Sequence, residues 1–164
     1  YGYYNVPVTL PAVAMKTELP VGVWAVQAKF KEVFTANGFY EAINYSFEDE
    51  ELLALFSPEK ALPILNPISK DGGVMRTSLT AGLVKNVLLN LNRQENDVRI
   101  FETGKIYIPS SGEKLPKETN KLAAAATGRK QPELWDREEF DFFDLKAVLE
   151  MALGALHAQE SGSF

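Results

Sequence analysis

VRIFETGKIYI, residues 98–108, is the stretch on which the fold turns. Val98, Ile100, Ile106 and Ile108 point one way along it and Phe101 and Tyr107 the other, the two-residue period of a strand. Gly104 in its middle suggests a bulge or a close approach by another part of the chain. Pro109–Glu118 is a polar connection with hairpin character. In Lys121–Thr127, four alanines favour helix, yet seven residues between a hairpin loop and Gly128 suit a second, pairing strand. We read it as a strand.

Upstream, Val21–Asn37 has helical periodicity. Val23, Val26, Phe30, Val33 and Phe34 form the apolar stripe, and Asn37-Gly38 is a C-terminal stop. Trp24 lies about 80° round the helix from that stripe. It marks either a second packing surface or a contact with the segment before it. Phe39–Phe47 alternates as a strand, with Phe39, Ile43, Tyr45 and Phe47 on one face and Tyr40, Asn44 and Ser46 on the other. The acidic run Glu48–Glu51 suits the first turn of a short helix carrying Leu52, Leu55 and Phe56. Ser57-Pro58 ends that helix, and Ile64-Leu65 reads as a brief strand before a turn-rich loop. Val74–Thr77 reads as a strand feeding a helix capped by Thr77 or Ser78, with a stripe of Leu83, Val84, Val87, Leu88 and Leu91. Downstream, Gln131–Glu139, with Trp135, reads as a loop with a short helical turn. Asp144–Leu156 is a helix with Leu145, Val148, Leu149, Ala152, Leu153 and Leu156 on one face. Helices and strands in this order predict an α+β fold, an antiparallel sheet flanked by helices.

The 164 residues are 46% hydrophobic and 24% charged, enough for one domain with a proper core. A net charge of -5 argues against a free-standing nucleic-acid binder, which needs a basic face for phosphates. The absence of cysteine excludes disulfides, thiolate zinc sites and thiol nucleophiles, and fits a reducing compartment. The one histidine, His157, cannot build a multi-histidine metal site, and is expected at the surface. No apolar run reaches the roughly 20 residues that cross a bilayer. A first residue Tyr1 and an end at Ser161-Gly162-Ser163-Phe164 read as an excised piece of something longer.

Several stretches, in order, resemble one family, the β subunit of bacterial phenylalanyl-tRNA synthetase. Tyr1-Gly2-Tyr3-Tyr4-Asn5-Val6-Pro7 resembles the segment that ends the domain before its synthetase-like core. Asn66-Pro67-Ile68-Ser69-Lys70-Asp71 followed by Val74-Met75-Arg76-Thr77-Ser78-Leu79 is similar to a second element. Leu89–Gln94, Arg99–Gly104 and Phe142-Phe143-Asp144-Leu145-Lys146 resemble three more, with Ala147 where the family pattern has glycine. The matches run from the first residue to about Glu150.

The resemblance implies a class II synthetase-like core over 21–164, incomplete at its C-terminus, entered by an extended lead-in over 1–20. It implies an α2β2 ligase that charges tRNA(Phe) with phenylalanine using ATP, in the cytoplasm and without membrane attachment. The α subunit would carry the active site; ATP and Mg2+ would bind outside this chain. Catalytic, cofactor and metal residues are therefore expected to be absent here. The partners would be the α subunit and a second β subunit. The helix at 21–37 and strand at 39–47 look like the class II pair that builds the subunit interface, which makes Trp24, Gln27, Lys31 and Phe34 the contact candidates. Class II enzymes grip ATP with an arginine and a glutamate at the end of a strand matching Arg99–Pro109. Those positions fall on Ile108 and Ser110, and Tyr107, Pro109 and Ser111 are no better suited. Arg76 and Arg93 are expected to form structural or interface ion pairs. The alternatives are a stand-alone class II-type nucleotide-binding paralogue and an RNA-contacting module. The latter would use Lys114, Lys117, Lys121, Arg129 and Lys130, but Glu113, Glu118 and Glu133 interrupt that stretch.

Overall fold

A computed structural model describes residues 2–9, 21–110, 115–131 and 137–161, without the side chains of residues 70 and 157–161. Its centre is a long antiparallel hairpin of β5 (Arg99–Ile108) and β6 (Lys117–Ala126), paired without interruption from Arg99 opposite Ala126 to Ile108 opposite Lys117. The alanines of β6 are strand because ladder pairing overrides their helix propensity. Short β1 (Tyr40–Glu41) runs parallel to β5 on its other side, giving the sheet order β1-β5-β6.

One sheet face packs against two helices, α1 (Val23–Ala36) and α4 (Phe142–Ser161). Phe34, Phe39, Phe101, Val148 and Ala152 are buried there, with Leu122, Ala124 and Ala126 of β6 against them. Phe34 meets Phe39 edge-on at 5.3 Å and lies 5.1 Å from Phe101. Each such aromatic contributes about 1.5–3 kcal/mol through burial. Asn37 caps α1 and Gly38 at φ 80 turns the chain into β1.

Against the opposite face lies α3 (Thr80–Leu91). A second antiparallel sheet comprises β2 (Phe47–Glu48), β4 (Val74–Met75) and β3 (Leu62–Pro63), in the order β2-β4-β3. Together with α2 (Glu50–Ala54) these elements enclose a smaller core of Leu53, Ala61, Val74 and Ala81.

The departures from sequence expectation have local causes. Residues 39–47 split between two sheets, and their phase changes on the way: Phe39 is buried and Tyr40 exposed, but beyond Glu41 it is Asn44, Ser46 and Glu48 that turn inward, while Ile43 (89% exposed) and Tyr45 (82%) face out. Polar partners across the domain, described below, draw the even residues in. Glu48 is accordingly a buried residue of β2 and not part of a helical turn; Asp49 caps α2 by accepting from the Leu52 N–H at 2.8 Å. The apolar residue α2 buries is Leu53, whereas Leu55 is exposed. The brief third strand falls at Leu62–Pro63 rather than Ile64-Leu65. Thr77 does not cap α3; it donates to the Ser57 Oγ at 2.8 Å, and the Ser78 Oγ accepts from the Thr80 N–H. The unbroken β5–β6 register leaves no bulge at Gly104, so the glycine serves a close approach instead. The lead-in shows a 3-10 turn at Tyr3–Asn5, while residues 10–20, and Trp135 of the later loop, lie outside the described residues.

Candidate functional site

Strand alternation places Glu102, Gly104, Ile106 and Ile108 of β5 on one face with Ala123, Lys121, Thr119 and Lys117 of β6. Arg76, leaving β4, runs under this face. It is 6% exposed and Glu102 is 2% exposed. The Arg76 Nη1 donates to the Glu102 Oε1 at 2.6 Å, and its Nε donates to the Lys105 carbonyl at 2.9 Å. The Asn44 Nδ2 donates to the other Glu102 oxygen at 2.8 Å, and the Asn86 Nδ2 donates to the Asn44 Oδ1 at 2.9 Å. Glycine makes the approach possible: a Cβ on Gly104 would lie 2.4 Å from the Arg76 Nη2, and one on Gly82 would lie 3.1 Å from the Asn44 Cγ. A buried ion pair offsets its desolvation cost only with such extra hydrogen bonds. The chemical consequence is that guanidinium and carboxylate are both engaged. The guanidinium is not free to grip a phosphate.

At the far end of the same face lies an open cavity of about 530 Å³. Ile106 and Ile108 form part of its wall, joined by the hydroxyls of Ser57, Thr77 and Thr80 and by Glu59, Lys117 and Lys121. Ile108 therefore stands at the cavity but offers only hydrocarbon there, while Ser110 lies past the end of β5 and outside the lining. Lys117 and Lys121 have no ion pair among the described residues. Among the described residues no group of three or more His, Cys, Asp or Glu could hold a metal ion.

Of the interface candidates, Trp24, Gln27 and Lys31 lie at i, i+3 and i+7 of α1, on one side of the helix. Trp24 is 74% exposed. Gln27 donates weakly to the Asn120 Oδ1 at 3.5 Å, and Lys31 pairs with Glu41 at 2.6 Å. Phe34 is a correction: at 1% exposure it is a core residue with nothing to offer a partner, since its position on the apolar stripe turns it to the sheet. The basic stretch is dispersed. Arg129 pairs with Asp97 at 2.8 Å, and this hydrogen bond holds the Asp97 carboxyl below its ordinary range. Lys130 sits 3.2 Å from Asp144 and 3.3 Å from Glu138, which raise its pKa. Lys114 lies outside the described residues. Sequence reasoning missed the Asn44–Glu102–Arg76 network and the Glu48–Lys85 pair at 2.5 Å. The one available signal was the even-numbered polar set of Asn44, Ser46 and Glu48.

This architecture has counterparts of known kind. A pyrrolysyl tRNA synthetase from Desulfitobacterium hafniense superposes with a TM-score of 0.56 over 80% of this chain and 44% of its own, at 18% identity, a likeness of fold alone. The β subunit of phenylalanine–tRNA ligase from Pseudomonas putida is 40% identical over 94% of this chain, and that from Syntrophotalea carbinolica is 36% identical over 95%. The chain spans about 20% of the length of these relatives. The family model described as the phenylalanyl tRNA synthetase beta chain CLM domain matches residues 6–163. A profile match across nearly the whole chain, with relatives of this identity, shows that the chain belongs to the family of that domain.

Proposed function

We propose that this chain is a non-catalytic, class II-like core module of a phenylalanine–tRNA ligase β subunit. It acts as scaffold in a cytoplasmic assembly with an α subunit and a second β subunit that charges tRNA(Phe) with phenylalanine. ATP and Mg2+ are bound elsewhere in that assembly. The observation that carries this reading is the end of β5: the cavity wall there is Ile108, and the nearby guanidinium of Arg76 is held by Glu102. An isoleucine supplies neither charge nor hydrogen bond to a triphosphate. The test is phenylalanine-dependent ATP–pyrophosphate exchange by the full-length β chain, alone and with its α partner. Exchange is expected only with the partner, and turnover by the β chain alone would overturn the reading.

A second reading, a nucleotide site of this chain's own, draws on Lys117 and Lys121 at the same cavity. Against it, Glu59 lines the cavity with them and both lysines are exposed, where ammonium groups are well hydrated. Calorimetric titration of the β chain with ATP·Mg2+ separates the two; saturable binding abolished by Lys121→Ala would favour the second.

A further inference from the structure

Asn37-Gly38 closes helix α1, and it is the only place in the chain where glycine follows an asparagine. That pairing carries chemistry of its own. The Gly38 backbone nitrogen has no Cβ beside it, so it can reach the Asn37 carboxamide carbon and close a small ring. Elsewhere a side chain on the following residue crowds the nitrogen, as Val87 does after Asn86, or the nitrogen lacks a proton, as in Pro67 after Asn66.

We propose that Asn37 is a site of spontaneous deamidation, gated by the end of helix α1. The Gly38 nitrogen gives its proton to solvent base and bonds to the Asn37 Cγ, while the Cγ–Nδ2 bond breaks and ammonia leaves. Water then opens the succinimide at either carbonyl, giving aspartate or isoaspartate, with nothing oxidised or reduced. The folded helix end holds the reacting atoms in check. The Gly38 N–H donates to the Thr35 carbonyl at 3.1 Å, the Phe39 N–H to that of Phe34 at 3.0 Å, and the Asn37 Nδ2 to that of Val33 at 2.8 Å. The first two are the paired bonds of a Schellman turn, backed by the contact of the Phe39 and Phe34 rings at 5.3 Å. Attack requires this turn to open, and helix ends open without global unfolding. The product then acts on the fold. A carboxylate at 37 cannot donate to the Val33 carbonyl, and it sets negative charge at the negative end of the helix dipole. Isoaspartate also lengthens the backbone by a carbon immediately before Gly38 and Phe39. Phe39 is 2% exposed and Phe34 1%, so the extra atom disturbs the core that seats α1 on the sheet.

The test ages the full-length β chain in warm, mildly alkaline buffer and follows every asparagine-containing peptide by mass spectrometry. Replacement of the amide by a carboxyl changes the mass, which separates deamidation from any isomerisation at Asp71-Gly72. Position 37 is expected to convert before any other asparagine of residues 1–164. It is expected to convert about 10-fold or more faster in the guanidinium-unfolded chain, where the hydrogen bonds that hold the turn are gone. Conversion of another of these asparagines first in the folded chain, or a rate at 37 unchanged by unfolding, overturns the assignment. Asn37→Ser keeps a donor for the Val33 carbonyl and cannot deamidate. It is expected to hold its melting temperature through ageing that lowers that of the wild type, and an equal loss in both chains would overturn the effect on the core.

Discussion

Gly104→Ala tests the buried network most directly. The added methyl carbon would sit 2.4 Å from the Arg76 Nη2, against about 3.5 Å for ordinary contact. A guanidinium at the end of a free side chain would swing aside at little cost. This one is held by the Lys105 carbonyl at 2.9 Å and by Glu102 at 2.6 Å, and is 6% exposed. Overpacking of a fixed interior costs about 1–3 kcal/mol. If relief comes by breaking the pair, the unpaired buried charge sets an upper range of about 3–5 kcal/mol. The expected loss is therefore about 2–4 kcal/mol, measured by urea unfolding with the slope unchanged. Gly154→Ala is the control: its Cβ meets nothing within 4 Å in helix α4, so a gain of about 0.5–1 kcal/mol is expected there. A Gly104→Ala chain within about 0.5 kcal/mol of wild type would refute the claim that the guanidinium is fixed.

Three further outcomes follow from the same geometry. Glu102→Gln keeps the shape but strips the counter-charge from buried Arg76, so a loss of about 3 kcal/mol is expected in the same unfolding assay; a neutral result would mean that water reaches the pair. Trp24→Glu, at a 74% exposed position, should leave the chain's own stability within about 0.5 kcal/mol. It should weaken α–β assembly in analytical ultracentrifugation, and intact assembly would remove Trp24 from the contact. Asp97 is held low by the Arg129 side chain and Asp144 by the Asp141 backbone N–H. Their stabilisation is therefore fully present above the ordinary 3.8 and is lost as pH falls through the lowered folded values. Melting temperature should drop below that pH, and the drop should be shallower in Asp144→Asn; identical acid profiles would contradict the assignment.

Helix α1 with its Asn37-Gly38 stop, the long strand at 99–108 and helix α4 were all legible in the chain, because each is specified by periodicity and end signals over neighbouring residues. So was the choice of strand for the alanine run, once the hairpin spacing was weighed against propensity. The absence of charge at Ile108 was equally plain, since a side chain's chemistry needs no fold to be known.

Tertiary structure alone decided which side of each element faces in. Alternation in 43–47 states which residues share a face, but both phases satisfy it, and Phe39, grouped with them by the same period, is buried while they are exposed. The choice was made by Glu102, 58 positions from Asn44, and by Lys85, 37 positions from Glu48. Burying the Arg76–Glu102 pair and the Glu48 carboxylate with their partners in place outweighs hiding Ile43 and Tyr45, whose exposure costs less than an orphaned buried charge. The same long-range contacts turned Phe34 from a contact candidate into core and left Tyr45, Phe47 and Ile68 on the surface. Local sequence sets periodicity and chemistry; the phase depends on partners that only the folded chain brings within reach.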